Sequence, residues 1–170
     1  MGCVRGPRFF VARARDRGME SLSPAERAFA ERAETVAAEF EPEAYTWHGD
    51  MPWANMERLA DADLLCPSVD EAYGGQGLSD VAALLLVEAV GRVCPDTGWF
   101  TYTQSTVGPR AIDLFGGEAV KERYLPDVTA GEGHVAIAIS EPDAGSDVGS
   151  MSTTVREKRG ELVCSGEKTW

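Results

Sequence analysis

Lysine is nearly missing from this chain. Lys121, Lys158 and Lys168 are the only lysines among 170 residues, and arginine supplies the rest of a cationic total of 16 against 28 acids. The resulting net charge of −12 argues against a surface for nucleic acid or anionic membrane, because both need clustered positive charge. Long apolar runs are also lacking. The longest, residues 81–90, is interrupted by Glu88 and falls well short of the roughly 18 residues that cross a bilayer. Histidine is scarce: His48 and His134 stand away from cysteine or acid at ligand spacing, so no metal site is expected. Cys3, Cys66, Cys94 and Cys164 are scattered and form no C-x-x-C pair. That spacing excludes a zinc ribbon or a disulfide frame and suits reduced, mostly buried thiols in the cytoplasm.

The first 18 residues depart from the rest. Arg5, Arg8, Arg13, Arg15 and Arg17 against Asp16 give this segment +4, which leaves −16 for the remainder. A disordered extension, or a start at Met19, fits this composition. An Arg-rich targeting segment would carry more serine. Met1-Gly2-Cys3 opens like a myristoylation site, but Gly6 stands where Ser or Thr is needed.

Helical signals then dominate. Ser23-Pro24-Ala25-Glu26 combines an N-cap serine, a proline at the first helical position and a glutamate at the third, which is a capping box. Phe29, Ala33, Val36 and Phe40 continue as one apolar stripe, and Pro42 stops it. A second helix is expected over 52–63, with Trp53, Met56, Leu59 and Ala60 inward. Tyr73-Gly74-Gly75-Gln76-Gly77 reads as a flexible turn whose adjacent glycines meet positive φ or close backbone approach. Ser79-Asp80 caps a third helix, apolar nearly all round over 81–90 and therefore expected in the core. Pro95-Asp96 restarts the chain into 99–106. Gly108-Pro109 is expected to break it, 111–115 to resume it, and a short helix after Gly116-Gly117 to end at Pro126.

From Gly131 the period changes. Residues 134–140 have the composition of a buried strand. Residues 152–157 and 161–168 read as strands of a hairpin turning at Arg159-Gly160. The fold class is therefore α+β: an all-α helical domain (19–132) followed by the first strands of a β domain (133–170).

The junction holds the most informative stretch. Ala136-Ile137-Ala138-Ile139 runs into Ser140-Glu141-Pro142-Asp143-Ala144-Gly145-Ser146-Asp147. By composition alone this octet is a turn between strands, since Pro, Gly, Ser and Asp are turn residues. In order and spacing, however, several features together resemble the acyl-CoA dehydrogenase family. These are the Tyr73–Gly77 turn, Leu114-Phe115-Gly116, Glu122-Arg123-Tyr124-Leu125-Pro126, Gly131-Glu132, the octet itself and Gly166-Glu167-Lys168-Thr169-Trp170. The similarity covers nearly everything from Met19 onward. There are departures: Ile137 stands where the family usually has an aromatic, and Asp143 where a small residue is common.

The resemblance implies FAD as cofactor. Ile139 and Ser140 would contact the flavin ring edge. Gly145 and Ser146 would contact FAD, with Ser146 also near the acyl-CoA substrate, and Trp170 would pack on the isoalloxazine. These residue types suit the task, because charge builds on a flavin edge during reduction and preorganised N–H groups and hydroxyls stabilise it. The family's middle domain is a β-barrel, of which only a truncated start is expected here. Its proton-abstracting carboxylate belongs to a C-terminal helical domain, so no residue of this chain is assigned as catalytic, and Glu141 is not the base. An electron-transfer flavoprotein as acceptor and a homotetramer are implied in the same way. Flavin monooxygenases or oxidases of the same fold remain an alternative, as does a non-catalytic fragment or one half of a split enzyme.

Overall fold

The computed structural model describes residues 21–44 and 51–169. The expectations placed on residues 1–18, on His48 and on Trp170 lie outside that range. The chain divides into two compact units between Val135 and Ala136, each described below by itself.

The first unit is helical. Helix α1 (Pro24–Ala38) begins with the expected capping box. Glu26 N–H donates to Ser23 Oγ at 3.2 Å, and Ser23 N–H donates to Glu26 Oε2 at 2.8 Å. The other Glu26 oxygen accepts from the hydroxyl of Ser79, which is itself the N-cap of α3 (Asp80–Val93). One carboxylate therefore closes two helix starts. The Ser79 hydroxyl, followed by the Ser23 backbone and hydroxyl, lowers its pKa from the ordinary value. Phe29, Ala33, Ala37 and Phe40 are fully buried, and Val36 packs at their edge.

Helix α2 (Trp53–Asp61) buries Met56 and Leu59 as expected. Trp53 does not point into the core. It is 47% exposed, edge-on to Phe100 at 5.4 Å and 4.8 Å from the ring of His134. Its size and its indole N–H favour a half-wet position. The glycine turn is not a loose connector. Gly74 has φ +88°, and a Cβ on Gly75 would sit 2.0 Å from the Val69 carbonyl oxygen. Gly77 N–H donates to that same oxygen at 2.9 Å. Both reasons for adjacent glycines hold here, one at each residue.

Helix α3 buries Ala82, Ala83, Leu86, Ala89 and Val90, but Val81 (45%) and Leu84 (59%) are exposed. The expectation of an all-round core helix is thus corrected: small side chains bring α3 close to α1 and to α4 (Pro95–Tyr102), and the opposite face stays uncovered among the described residues. Gly108-Pro109 does not break the chain. A π turn at Thr103–Val107 leads directly into α5 (Gly108–Phe115). Gly108 N–H donates to Thr103 C=O, and Pro109, with no N–H to give, sits where the wider turn needs none. Helix α6 (Glu118–Thr129) likewise runs through Pro126 instead of ending there. Burial of Leu125 and Val128 on either side of the proline outweighs one lost backbone bond.

The second unit holds strands β1 (Thr154–Lys158) and β2 (Glu161–Ser165), antiparallel with Thr154 opposite Ser165 and Lys158 opposite Glu161. The hairpin turns at Arg159 (φ +57°) and Gly160 (φ +81°) as expected, the twin positive angles of a two-residue hairpin turn. Every residue of both strands is exposed. Residues 134–140 do not form the expected buried strand. Ile137 and Ile139 are 44% and 47% exposed, and no ladder partner lies beside them among the described residues. A strand is defined by pairing, and apolar composition cannot supply the partner.

The α3–α4 contact generates an asymmetric prediction. A Cβ on Gly98 would lie 2.4 Å from the Gly91 Cα, whereas a Cβ on Gly91 meets only Gly98 Cα at 3.9 Å. Gly98→Ala is expected to lower stability by about 1–3 kcal/mol through overpacking. Gly91→Ala is expected to be neutral or to gain up to ~1 kcal/mol from helix propensity. Urea unfolding of the two variants checks this, and equal midpoints would refute the close approach.

Candidate functional site

The octet at 140–147 is a closed loop. Glu141 N–H donates to Ala144 C=O at 2.8 Å, and Ala144 N–H donates back to Glu141 C=O at 3.2 Å. This small bridge buries Ala144 (4% exposed) and leaves Gly145 and Ser146 exposed. Ser140 is half-buried just before it. The structure thus gathers Ile139, Ser140, Gly145 and Ser146 on one short segment.

Glu141 is the residue whose importance the sequence concealed. Its side chain is only 3% exposed. Oε2 accepts from Ser152 N–H at 2.6 Å and from the Ser152 hydroxyl at 2.8 Å. Oε1 accepts from Thr153 N–H at 3.0 Å and from Lys168 Nζ at 2.9 Å. Lys168 Nζ also donates to Ile139 C=O at 2.8 Å and touches Met151 Sδ at 3.5 Å. Thr169 N–H donates to Ser140 C=O at 2.9 Å. Hydrogen bonding from Thr153, whose amide donates to Oε1, from the amide and hydroxyl of Ser152 and from the Lys168 ammonium holds the Glu141 carboxyl far below the usual carboxylate range. A carboxylate so engaged is an anchor. Neither oxygen is left for proton abstraction. The partners lie 11 to 27 residues away, a separation that local patterns do not reveal; the one sequence signal was that Lys168 is among so few lysines.

Gly145 is informative in a different way. Its φ is not positive, and a Cβ built on it meets nothing within 4 Å. Neither turn geometry nor packing among the described residues calls for glycine at this position. Exposed backbone without a side chain, followed directly by Ser146, leaves room for a ligand to approach the main chain closely.

Other features of the helical unit do not compete as chemistry. A hollow of about 540 Å³ is lined by Arg32, Asp61, Asp63, Leu65, Gly75 and Gln76, among others. It contains none of the expected site residues, and Arg32 and Gln76 are already bonded to each other at 3.1 Å. Burial pushes the Cys66 thiol up to about 12, which makes it a poor nucleophile. Cys94 is buried as well, whereas Cys164 is exposed, and all three are free. Among the described residues, no group of three His, Cys, Asp or Glu side chains is placed to hold a metal ion, and no helix is long and apolar enough to cross a membrane.

Comparison with known proteins gives the family. Residues 23–132 match the model of the acyl-CoA dehydrogenase N-terminal domain. An acyl-CoA dehydrogenase of Bacillus subtilis is 31% identical over 119 residues, covering 70% of this chain and 31% of that protein. A 3-sulfinopropanoyl-CoA desulfinase of Cupriavidus necator is 33% identical over 119 residues, covering 70% of this chain and 30% of its own length. Among solved structures, glutaryl-CoA dehydrogenase from Mycobacterium smegmatis superposes with TM-score 0.77 at 26% identity, over 89% of this chain and 40% of that one. An acyl-CoA dehydrogenase complexed with FAD from Bacillus anthracis gives 0.70 at 28% identity, over 89% and 27%. The chain belongs to the acyl-CoA dehydrogenase family, and it spans about three-tenths of the length of the curated relatives it matches.

The Glu141 anchor has a pH signature. A carboxyl held below its ordinary value of 4.5 contributes stability that is complete above that value and is lost as pH falls toward its lowered folded value. Glu141→Gln should remove this contribution. The stability difference between parent and variant, followed by NMR signals of residues 139–169, is expected to be constant above pH 4.5 and to shrink below it. A difference that grows on acidification would contradict the anchor.

Proposed function

We propose that this chain supplies the flavin-facing loop of an FAD-dependent acyl-CoA dehydrogenase, which introduces an α,β double bond into an acyl-CoA thioester. The observation that carries the reading is the closed loop at 140–147. It is anchored by Glu141 and presents an exposed, uncrowded Gly145 next to Ser146. When bound, FAD supplies the acceptor for the β-hydride. The chain's own residues bind and orient it. Ile139 and Ser140 line the ring edge, Gly145 and Ser146 offer backbone and hydroxyl donors, Ser146 also meets the acyl-CoA, and Trp170 packs on the ring. No residue here is assigned the proton-abstracting role, and the 170 residues alone are expected to bind FAD weakly and to turn nothing over. An electron-transfer flavoprotein is the proposed acceptor, a homotetramer the proposed assembly and the cytoplasm the proposed compartment.

The desulfinase relative, as similar as the dehydrogenase, favours a second reading in which this region serves another acyl-CoA reaction of a flavoprotein. Anaerobic addition of acyl-CoA to the FAD-loaded chain, completed by a co-expressed segment that supplies the remainder of a family member, separates the two. Bleaching of the visible flavin band supports dehydrogenation. A flavin that stays oxidised while the acyl-CoA is converted supports the second reading, and a flavin that acyl-CoA leaves oxidised but that forms a stable adduct with oxygen after reduction by an added nicotinamide or dithionite points to monooxygenase chemistry. A further check comes from Gly145→Ala. Its effect on stability should stay within about 0.5 kcal/mol, because nothing crowds the site, while FAD capture falls at least tenfold, on the order expected when backbone approach is blocked. Unchanged FAD affinity in that variant would remove Gly145 from the site.

A further inference from the structure

We infer that Lys168, held by Glu141, is a positioning residue that fixes the direction of the peptide between Ile139 and Ser140 and so aims the Ser140 N–H. The inference deepens the flavin reading and rests on it only for the identity of what that N–H faces. The argument starts from peptide planarity. No cis peptide occurs among the described residues, and in a trans peptide the C=O and the following N–H point in opposite directions. Lys168 Nζ takes the Ile139 C=O at 2.8 Å, so the Ser140 N–H is turned away from Lys168. Thr169 N–H takes the Ser140 C=O at 2.9 Å, which fixes the next peptide from the same stretch of chain. The Glu141 N–H then closes the loop on Ala144 C=O at 2.8 Å. Two consecutive carbonyls are thus drawn to residues 168–169.

Lys168 could not do this unanchored, because its long side chain is flexible and its head is strongly hydrated. Glu141 supplies the anchor. It is buried, bonded to the Ser152 and Thr153 amides and 2.9 Å from the ammonium. The ammonium sits between a fixed carboxylate and the carbonyl it positions. An outward N–H with a predetermined direction is what stabilisation of developing charge on a bound ring requires.

The test uses the full chain as Lys168→Met, Lys168→Arg and Glu141→Gln variants, followed by amide hydrogen exchange and by the Ser140 amide chemical shift. Lys168→Met is expected to shift the Ser140 amide and to speed exchange at Thr169 by roughly tenfold or more, the loss of a charge-assisted constraint. Lys168→Arg, which keeps the charge and the donors, is expected to return both toward the parent. Glu141→Gln should also speed exchange at Ser152 and Thr153, with the helical unit unchanged as a folding control. A parent-like Ser140 shift in Lys168→Met would overturn the assignment. So would equal damage from Met and Arg, which would mark a packing role. None of these readouts needs flavin. Failure of the parent to bind FAD would therefore count against the cofactor reading alone.

Discussion

A backbone that leaves a helix without entering a sheet still carries a donor and an acceptor at every residue, and those groups must be met. Much of this molecule is arranged around that constraint. Past α6 the chain runs from Gly133 to Ser140 with no ladder, and side chains take the place of a neighbouring strand. Gln104 pairs with Val135 at both positions, Oε1 accepting from its N–H and Nε2 donating to its C=O, each at 3.0 Å. In the second unit the Lys168 side chain meets the Ile139 carbonyl, while the backbone N–H of Thr169 meets that of Ser140. Side-chain partners are specific where strand partners are generic, so each fixes one peptide.

The π turn serves the same economy. Widening the helix at Thr103–Val107 frees backbone and side-chain groups that a regular helix would hide. Gln104 reaches Val135 from here. Cys66 uses the turn twice, its N–H donating to Ser105 Oγ at 3.3 Å and its thiol to Gln104 C=O at 3.2 Å. On α3 the buried face is made largely of small residues, Ala82, Ala83 and Ala89, and Gly98 on α4 lies against Gly91. Close helix approach gains dispersion contacts but leaves no tolerance for an added methyl on the tight side.

What was legible in the sequence was local. The capping box at Ser23 and Glu26, the Ser79 cap, the glycine turn and the Arg159-Gly160 hairpin each follow from a few adjacent residues and from rules of backbone geometry, and the structure contains them. What misled was composition read without a partner. Ala136 to Ile139 has strand-like side chains but no strand to pair with among the described residues. Pro126 looks like a stop, yet burial of Leu125 and Val128 carries the helix past it. Val81 and Leu84 look like core, yet they lie on the face of α3 away from α1 and α4. Within the candidate site, the loop residues Ser140, Gly145 and Ser146 could be named from their order. The device that holds them could not, because Glu141, Ser152 and Lys168 meet only after the hairpin has folded back.

That device also sets the electrostatics of the loop. Glu141 and Lys168 form a neutral pair, so neither formal charge dominates the ground beneath Ser140. A lone ammonium there would favour a reduced, anionic ring and also any stray anion. A lone buried carboxylate would oppose both and would take up a proton to relieve its burial. With the two charges cancelling at 2.9 Å, the directional influence left is that of peptide dipoles already fixed in place. Asp143 and Asp147 stay exposed, where water screens them. Stabilisation by oriented dipoles needs no reorganisation when charge moves, and this is the property that the proposed flavin reading asks of the loop.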